Sequence, residues 1–238
     1  MGGRYHLVID QSRSPGWNLA VEEALLDSVA RGLRPGVVRL WINRRVVVIG
    51  RGLEPCLEVR CGEADRLGVP VYRRSSGGGA VYHDEGNLNI TLIERVDGRI
   101  SVEDAYRRGT SLLLGALARL GIRAWVENLS DVVVDGWKVS GGAAHIRYGA
   151  YLYHATLLIN ADMKVLHRVI RPRLDRVARG EVTPAKYRPR NLKDLAGIEM
   201  PEAISAILEE AEERWGLEPT GLLPSEAGRM SVQHIIIH

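Results

Sequence analysis

The sequence predicts an α/β protein of the α+β kind, a mixed sheet with helices packed on it. Three observations lead there. Strand-like runs outnumber helical ones and do not alternate with them as a doubly wound fold requires. Three amphipathic stretches, 15–31, 101–120 and 201–215, carry helix start and stop signals. With 45% apolar and 26% charged residues in 238, the chain has an ordinary globular composition, at a size that single α/β domains reach.

Tyr5 to Asp10 is a short apolar run and reads as a strand. Pro15 to Arg31 reads as a helix, with proline near its start, Leu19, Ala20, Ala24, Leu25 and Val29 as apolar positions, and Gly32 as its stop. Val37 to Ile42 and Val46 to Ile49 read as two strands joined by the Asn43-Arg44-Arg45 turn. Glu63 to Leu67 is a short helix. Val69 to Arg74 is a strand entering a glycine-rich loop, and Asn87 to Glu94 the strand leaving it. Ser101 to Leu120 is the best helix, with Ser101 and Asp104 spaced as a capping box and Gly121 as the stop. Strands are expected at Ile122 to Val126, Asp131 to Val134, Trp137 to Arg147 and Ala150 to Asn160. Met163 to Ile170 reads as helical. Arg171 to Arg190 is polar, carries three prolines and reads as a loop or lid. Pro201 to Trp215 is a helix with Ile204, Ile207, Leu208 and Ala211 on one stripe. The tail ends in a strand-like run, Val232 to Ile237.

No apolar run approaches the length of a membrane span, and Met1 to Asp10 lacks the pattern of a secretory signal, so a cytoplasmic protein without a membrane partner is expected. The net charge is +3, and the arginines are scattered among acids with no long basic run, so a nucleic-acid partner is not expected. Cys56 and Cys61 fit neither a Cys-x-x-Cys motif nor a zinc framework and read as two small core residues. Glutamine is scarce (Gln11 and Gln233), a thermophile trait, whereas scarce lysine is not. In a thermophile a Cys56–Cys61 disulfide is the alternative.

The chain has 28 arginines and four lysines, the first being Lys138. A lone ammonium where arginine is otherwise used points to a place that needs a compact point charge. Upstream lies Arg73-Arg74-Ser75-Ser76-Gly77-Gly78-Gly79-Ala80-Val81-Tyr82-His83-Asp84. Three consecutive glycines are costly to order, so they imply close approach of a ligand or dihedrals closed to other residues. Backbone N–H groups of such a loop can cradle phosphate, and Arg74 can bind an anion bidentately. The bland alternative, a hairpin turn with solvated arginines, is opposed by the flanking Arg73, Arg74 and His83-Asp84. Other motifs fail: Gly136-Trp137-Lys138 breaks the Walker pattern, Gly50-Arg51-Gly52 lacks a third glycine, and the seven histidines show no metal-ligand spacing.

The glycine segment, followed by Gly86-Asn87-Leu88-Asn89, resembles the signature of lipoate–protein ligase A. Asn18-Leu19-Ala20-x-x-Glu23, Val47-Val48-Ile49-Gly50, Asp131, Lys138-Val139-Ser140-Gly141-x-Ala143, His154-Ala155-Thr156-Leu157-Leu158 and Asn191-Leu192 resemble further elements of that family, in order. The resemblance spans about Trp17 to Trp215; the joint occurrence is far more specific than any one piece. It implies a mostly antiparallel sheet flanked by helices, the biotin/lipoyl protein ligase-like catalytic domain, as a single domain over 1–238.

The implied reaction has two steps: lipoate attacks the α-phosphorus of ATP to give lipoyl-AMP, and an acceptor lysine then takes the lipoyl group. By resemblance Lys138 is catalytic. Arg74 and the Gly79-Ala80-Val81-Tyr82 backbone would hold phosphates, and Ser76, Gly77, Gly78 and His83 would line the lipoyl-adenylate pocket. Asp84, Asn87, Ser140, Gly141, Ala143 and His154 are further candidates. Asp131 would help place Mg2+ or ribose, the metal neutralising the triphosphate. The implied partners are lipoyl domains of 2-oxoacid dehydrogenase acyltransferase subunits and the glycine-cleavage carrier protein. Three departures stand out. Trp137 precedes the lysine, where a basic or small polar residue is usual. Thr183 to Arg190 matches the family loop loosely. The chain ends with too little sequence for a C-terminal accessory domain, which resembles the archaeal split form and implies a small accessory ligase subunit. The rivals are an octanoyltransferase of the same fold, which needs a cysteine shortly before the lysine, biotin ligation, and a non-catalytic lipoyl-binding protein that has kept the pocket.

Overall fold

The structure is a computed structural model and describes residues 4–96, 98–223, 226 and 236–237. The first half runs β1 (Tyr5–Ile9), α1 (Pro15–Ala30), β2 (Val37–Trp41), β3 (Val46–Ile49), α2 (Pro55–Glu58), α3 (Cys61–Arg66), β4 (Val71–Arg73), β5 (Val81–His83) and β6 (Asn87–Arg95). It continues with α4 (Val102–Arg119), β7 (Trp125–Glu127), β8 (Asp131–Val134), β9 (Trp137–Arg147), β10 (Ala150–Leu158) and α5 (Met163–Val169). Then come α6 (Leu174–Ala178), a 3-10 turn (Pro184–Tyr187), α7 (Leu192–Ala196), α8 (Met200–Trp215), β11 (Leu217–Pro219) and β12 (Ile236–Ile237).

The expected mixed, mostly antiparallel sheet flanked by helices is present, and a second, smaller sheet accompanies it. The larger has the order β11-β1-β2-β6-β10-β9-β8-β7, parallel at β11-β1 and β1-β2 and antiparallel elsewhere. The smaller, β12-β4-β3-β5, pairs β3 with β4 in parallel and with β5 antiparallel. β2 and β3 are not a hairpin: the turn between them carries the chain from one sheet to the other. Its Asn43 is fully buried and bonds Asn18 and His83, which anchors the crossing. Of the expected tail strand, Ile236–Ile237 pairs with β4; residues 232–235 lie outside the described residues.

Both faces of the large sheet are covered, so its central strands read as continuous apolar runs. Alternation divides them. Leu88, Ile90 and Leu92 of β6 and Tyr151, Tyr153 and Leu157 of β10 pack with α4 and α8 in the main core. Ile93 and Leu152 face the other way, onto Val21, Leu25 and Val29 of α1. The functional candidates on β6 and β10 share that second face. The small sheet is also split by its period of two. Val47, Ile49 and Tyr82 pack on α3 and α5, while Val46 and Val48 meet Leu19 and Trp41. The gap between the two sheets, beside α1, is therefore lined by β3 and β5 on one side and by β2, β6 and β10 on the other.

The best-predicted helix is also the best capped: Ser101 accepts from the Asp104 N–H at 3.0 Å and the Asp104 carboxylate receives the Ser101 N–H. Cys56 and Cys61 depart from expectation. They form a disulfide, with Cα atoms 5.6 Å apart, joining the two short helices α2 and α3; Cys56 is exposed, and Cys61 is half-buried against the small-sheet core. Among the described residues no helix is long and apolar enough to cross a membrane.

Candidate active site

The glycine loop, between β4 and β5, is fastened from both sides by charged side chains. Gly78 sits at φ +91°, and a Cβ on Gly50 would lie 2.1 Å from Gly78 O, so the loop lies backbone against backbone on the Gly50 turn. Arg74 is buried. Its Nη2 donates to Gly77 O at 2.6 Å and Gly79 O at 2.9 Å, its Nε to Ser76 Oγ at 2.9 Å, and its Nη1 to Val48 O at 3.1 Å. Burial lowers its pKa to about 10 despite nearby Tyr106, Glu22 and Glu58. Arg73 likewise donates to the carbonyls of Gly50, Arg51 and Leu53. These guanidinium groups hold the loop in shape. From outside, Glu58 accepts the Ala80 N–H at 2.9 Å. β5 follows as an edge strand of the small sheet, which keeps one row of its backbone groups off the ladder.

The loop is tied to α1 and the large sheet by a second set of contacts. Ser76 Oγ lies 2.7 Å from His154 Nε2, and His154 Nδ1 lies 2.9 Å from buried Glu22, which also accepts from Thr91 Oγ1 at 2.6 Å. Burial alone would raise the Glu22 carboxyl, but the charge and hydrogen bonds of His154, with Thr91 and Arg39, leave it lowered. Glu22 is therefore a carboxylate that accepts the Nδ1–H of His154, whose Nε2 faces the Ser76 hydroxyl. The order Ser-His-Glu has the hydrogen-bond pattern of a nucleophilic triad. Ser76, however, is 1% exposed, receives Arg74, and does not line the neighbouring cavity, so the chain of bonds positions the loop. Ser75 bonds Glu23 and His145 in the same way.

Two adjoining cavities result. The first, about 370 Å³, is walled by Leu19, Trp41, Val48, Val81, Ala143 and Ala155, with Arg74, His83, Asn89 and His154 as its polar groups. His83 Nε2 and Asn89 Nδ2 are buried there without a protein partner. Burial, then Arg74 and His154, pushes His83 down to about 3, so the ring is neutral. The second, about 760 Å³, is lined by Ala80, Tyr82, Lys138, Leu166, Lys186 and Tyr187 among others. The cavities share Val81 and Thr156.

Lys138 reaches the second cavity through an irregularity in β9. The β8–β9 register shifts between Val132 and Val133, so Val139 is an extra residue. Without it, strict alternation would put Lys138 and Gly141 on opposite faces. With it, both share the face of Asp131. Lys138 Nζ is 2.6 Å from Asp131 Oδ1, and a Cβ on Gly141 would lie 2.7 Å from that Nζ.

The remaining candidates divide. Ala143 lines the first cavity beside Gly141, and Gly77 and Gly78 shape the loop around Arg74. Ser140 is fully buried in β9. Asn87 donates to Asn89 at 3.1 Å. Asp84 uses its carboxylate on the Gly86 and Asp162 N–H groups, which is a turn and helix-capping role. Asp131 does not suit a metal: its oxygens already face Lys138, Lys186 and Asn128. No cluster of three or more His, Cys, Asp or Glu able to hold an ion occurs among the described residues. Sequence reading missed Glu22, Trp41, Glu58 and Lys186. Lysine scarcity was a usable signal for Lys186; Glu58 had none.

The comparisons with known proteins place the chain among proteins of the same fold. A provisionally named lipoate-protein ligase A of Aeropyrum pernix is 43% identical over 225 residues, 94% of this chain and 82% of that protein. A chain from the archaeal lipoylation system of Thermoplasma acidophilum, a bi-partite lipoate protein ligase and its E2 lipoyl domain, superposes with TM-score 0.81 at 26% identity, covering 97% of this chain and 91% of that one. A lipoate-protein ligase A bound with ATP superposes with TM-score 0.81 at 25% identity, covering 97% and 93%. Residues 14–212 match the lipoyl protein ligase A/B catalytic domain. With that match across most of its length, the chain is an enzyme of the lipoyl protein ligase A/B catalytic-domain family.

Proposed function

We propose that the chain joins lipoate to ATP as lipoyl-AMP and passes the lipoyl group to a lysine of a lipoyl domain. The observation that carries this is the pair of cavities meeting at Val81 and Thr156, one apolar and narrow, the other holding lysines. The acyl chain occupies the first and the nucleotide the second, so the carboxylate and the α-phosphate meet at their junction. The nucleophile is already an anion and needs no general base. What opposes reaction is repulsion between two anions. The ammonium of Lys138 lies between them, offsets that repulsion and stabilises charge on the α-phosphate. The carboxylate oxygen bonds to phosphorus and pyrophosphate leaves. The acceptor amine then attacks the acyl carbon, AMP leaves and an amide forms. His83 Nε2 and Asn89 Nδ2, both without protein partners, are donors available to the bound ligand.

The ATP-bound relative supports the nucleotide, and the bi-partite Thermoplasma ligase supports both a lipoyl-domain acceptor and a separate accessory subunit. Mg2+ would arrive with the triphosphate; Asp131 is not its ligand, and no step is routed through it. An octanoyl thioester route is disfavoured because the two cysteines of the chain are bonded to each other.

The test is the mass of an acceptor lipoyl domain after incubation with ATP and lipoate, with and without a candidate accessory protein. Addition of one lipoyl group in either arm supports the reading. No addition in both arms, and none from preformed lipoyl-AMP, refutes it.

A further inference from the structure

Two of the four lysines converge on one carboxylate. Asp131 Oδ1 is 2.6 Å from Lys138 Nζ, and Oδ2 is 3.5 Å from Lys186 Nζ. Asn128 Nδ2 also donates to Oδ2, at 3.0 Å. The Asp131 side chain is 1% exposed, so water does not share its charge. Burial would raise this carboxyl, but the two ammonium groups hold it lowered.

The segment that brings Lys186 here was expected to be a loose loop or lid. It is instead registered against β9 in two ways and against the β7–β8 turn in a third. The Lys138 N–H donates to Arg188 O at 2.9 Å and the Arg190 N–H to Lys138 O at 3.0 Å. The guanidinium groups of Arg188 and Arg190 lie 4.4 and 4.9 Å from the ring centre of Trp137. Thr183 N–H donates to Asn128 Oδ1 at 2.7 Å. Trp137, unusual as the residue before the lysine, is thus the platform on which this segment rests. The backbone that positions Lys138 also positions Lys186.

Resting on the ligase reading above, the consequence concerns what happens to Asp131 during the reaction. To lie between two substrate anions, Lys138 must leave a carboxylate that it now touches. A buried carboxylate stripped of its partner is strongly unfavourable. We propose that Lys186 is a positioning residue for the activation step: it closes on Asp131 as Lys138 turns to the substrates, so the buried anion keeps a counterion throughout. The two ammonium groups now repel each other across one carboxylate. Departure of Lys138 removes that repulsion and strengthens the Lys186 pair. The choice of lysine in an arginine-rich chain follows. A planar fork would grip both oxygens of Asp131 and evict Lys138 before substrate arrives.

The test compares pyrophosphate release by the wild-type chain, Lys186→Met, Asp131→Asn and the double variant, each with any accessory protein that wild type requires. Lys186→Met is expected to lower kcat roughly 100-fold, with the ATP KM changed less than about threefold, because binding is intact and release of Lys138 is not. Asp131→Asn removes the anion that needs a counterion. It is expected to keep at least about a tenth of wild-type turnover, and adding Lys186→Met to it should cost less than about threefold. A general structural role for Lys186 would not vanish in that background. The proposal is overturned if Lys186→Met turns over within threefold of wild type or shifts KM with kcat held. It is equally overturned if the full loss persists beside Asp131→Asn, or if Asp131→Asn is itself inactive. A wild-type chain that neither releases pyrophosphate nor transfers lipoyl would instead refute the ligase reading.

Discussion

Gly141 leaves open the space into which Lys138 folds: a Cβ at Gly141 would lie 2.7 Å from Nζ and 2.8 Å from Cε of Lys138. The two residues share a face because of the extra residue in β9, and the glycine keeps that face clear. The colliding atoms belong to the end of a flexible side chain, so Gly141→Ala should fold. The ammonium would be displaced by about an ångström. Pyrophosphate release is expected to fall by roughly 10- to 100-fold while the thermal midpoint moves by a few degrees, as a displacement of that size allows. A Gly141→Ala enzyme with wild-type turnover would show that the placement of Lys138 is not critical.

Lys138→Ala should lower adenylate formation by roughly 100- to 1,000-fold, the range for one preorganised donor at a charged transition state. Lys138→Arg should not recover it, since the fork would stay on buried Asp131. Quenched-flow measurement of lipoyl-AMP, with circular dichroism as the check on folding, decides the point.

His83 makes a prediction about acid stability. Its pKa lies near 3 in the folded chain, pushed down from 6.5 chiefly by burial. Between those values the unfolded chain binds a proton that the folded chain does not. This contribution is complete above pH 6.5 and is lost as pH falls towards 3, with a slope of at most about 1.4 kcal/mol per unit. Urea unfolding at pH 7, 5.5 and 4.5 should show it, and His83→Asn should flatten the slope even though it lowers stability overall by loss of the Asn43 contact.

The Cys56–Cys61 bond closes a short loop that contains Glu58, the residue bonded to Ala80 N–H. Reduction, or Cys56→Ser with Cys61→Ser, should lower stability by about 2 kcal/mol on the loop-entropy argument. Calorimetry with and without a dithiol reductant checks this: the midpoint of the wild-type chain should fall, and that of the double variant should not respond.

Much of the fold was legible because the signals were local. The capping box at Ser101 and Asp104 marks α4 from within four residues, and β9 and β10 start where sequence reading put them. The crossing between β2 and β3 was not legible. Two adjacent apolar runs joined by a short turn look like a hairpin, and only the distant partners of Asn43, which are Asn18 and His83, send them to different sheets. Five-residue α6 and the three-residue β11 carry too little periodicity to stand out.

At the site the division is sharper. The chain read by itself drew attention to the glycine loop and to Lys138, because residue type and composition carry the chemistry of anion binding; Asp131 entered only through the family resemblance. It also placed Arg74 on phosphate, whereas the fold turns that guanidinium onto the carbonyls of its own loop. What a charged group faces depends on which elements pack around it, and those come from far along the chain. The same holds for Glu22 under His154, for Glu58 on Ala80, and for Lys186 opposite Lys138 on Asp131. Composition recorded that lysine is scarce. Long-range packing alone put two of the four on one buried carboxylate.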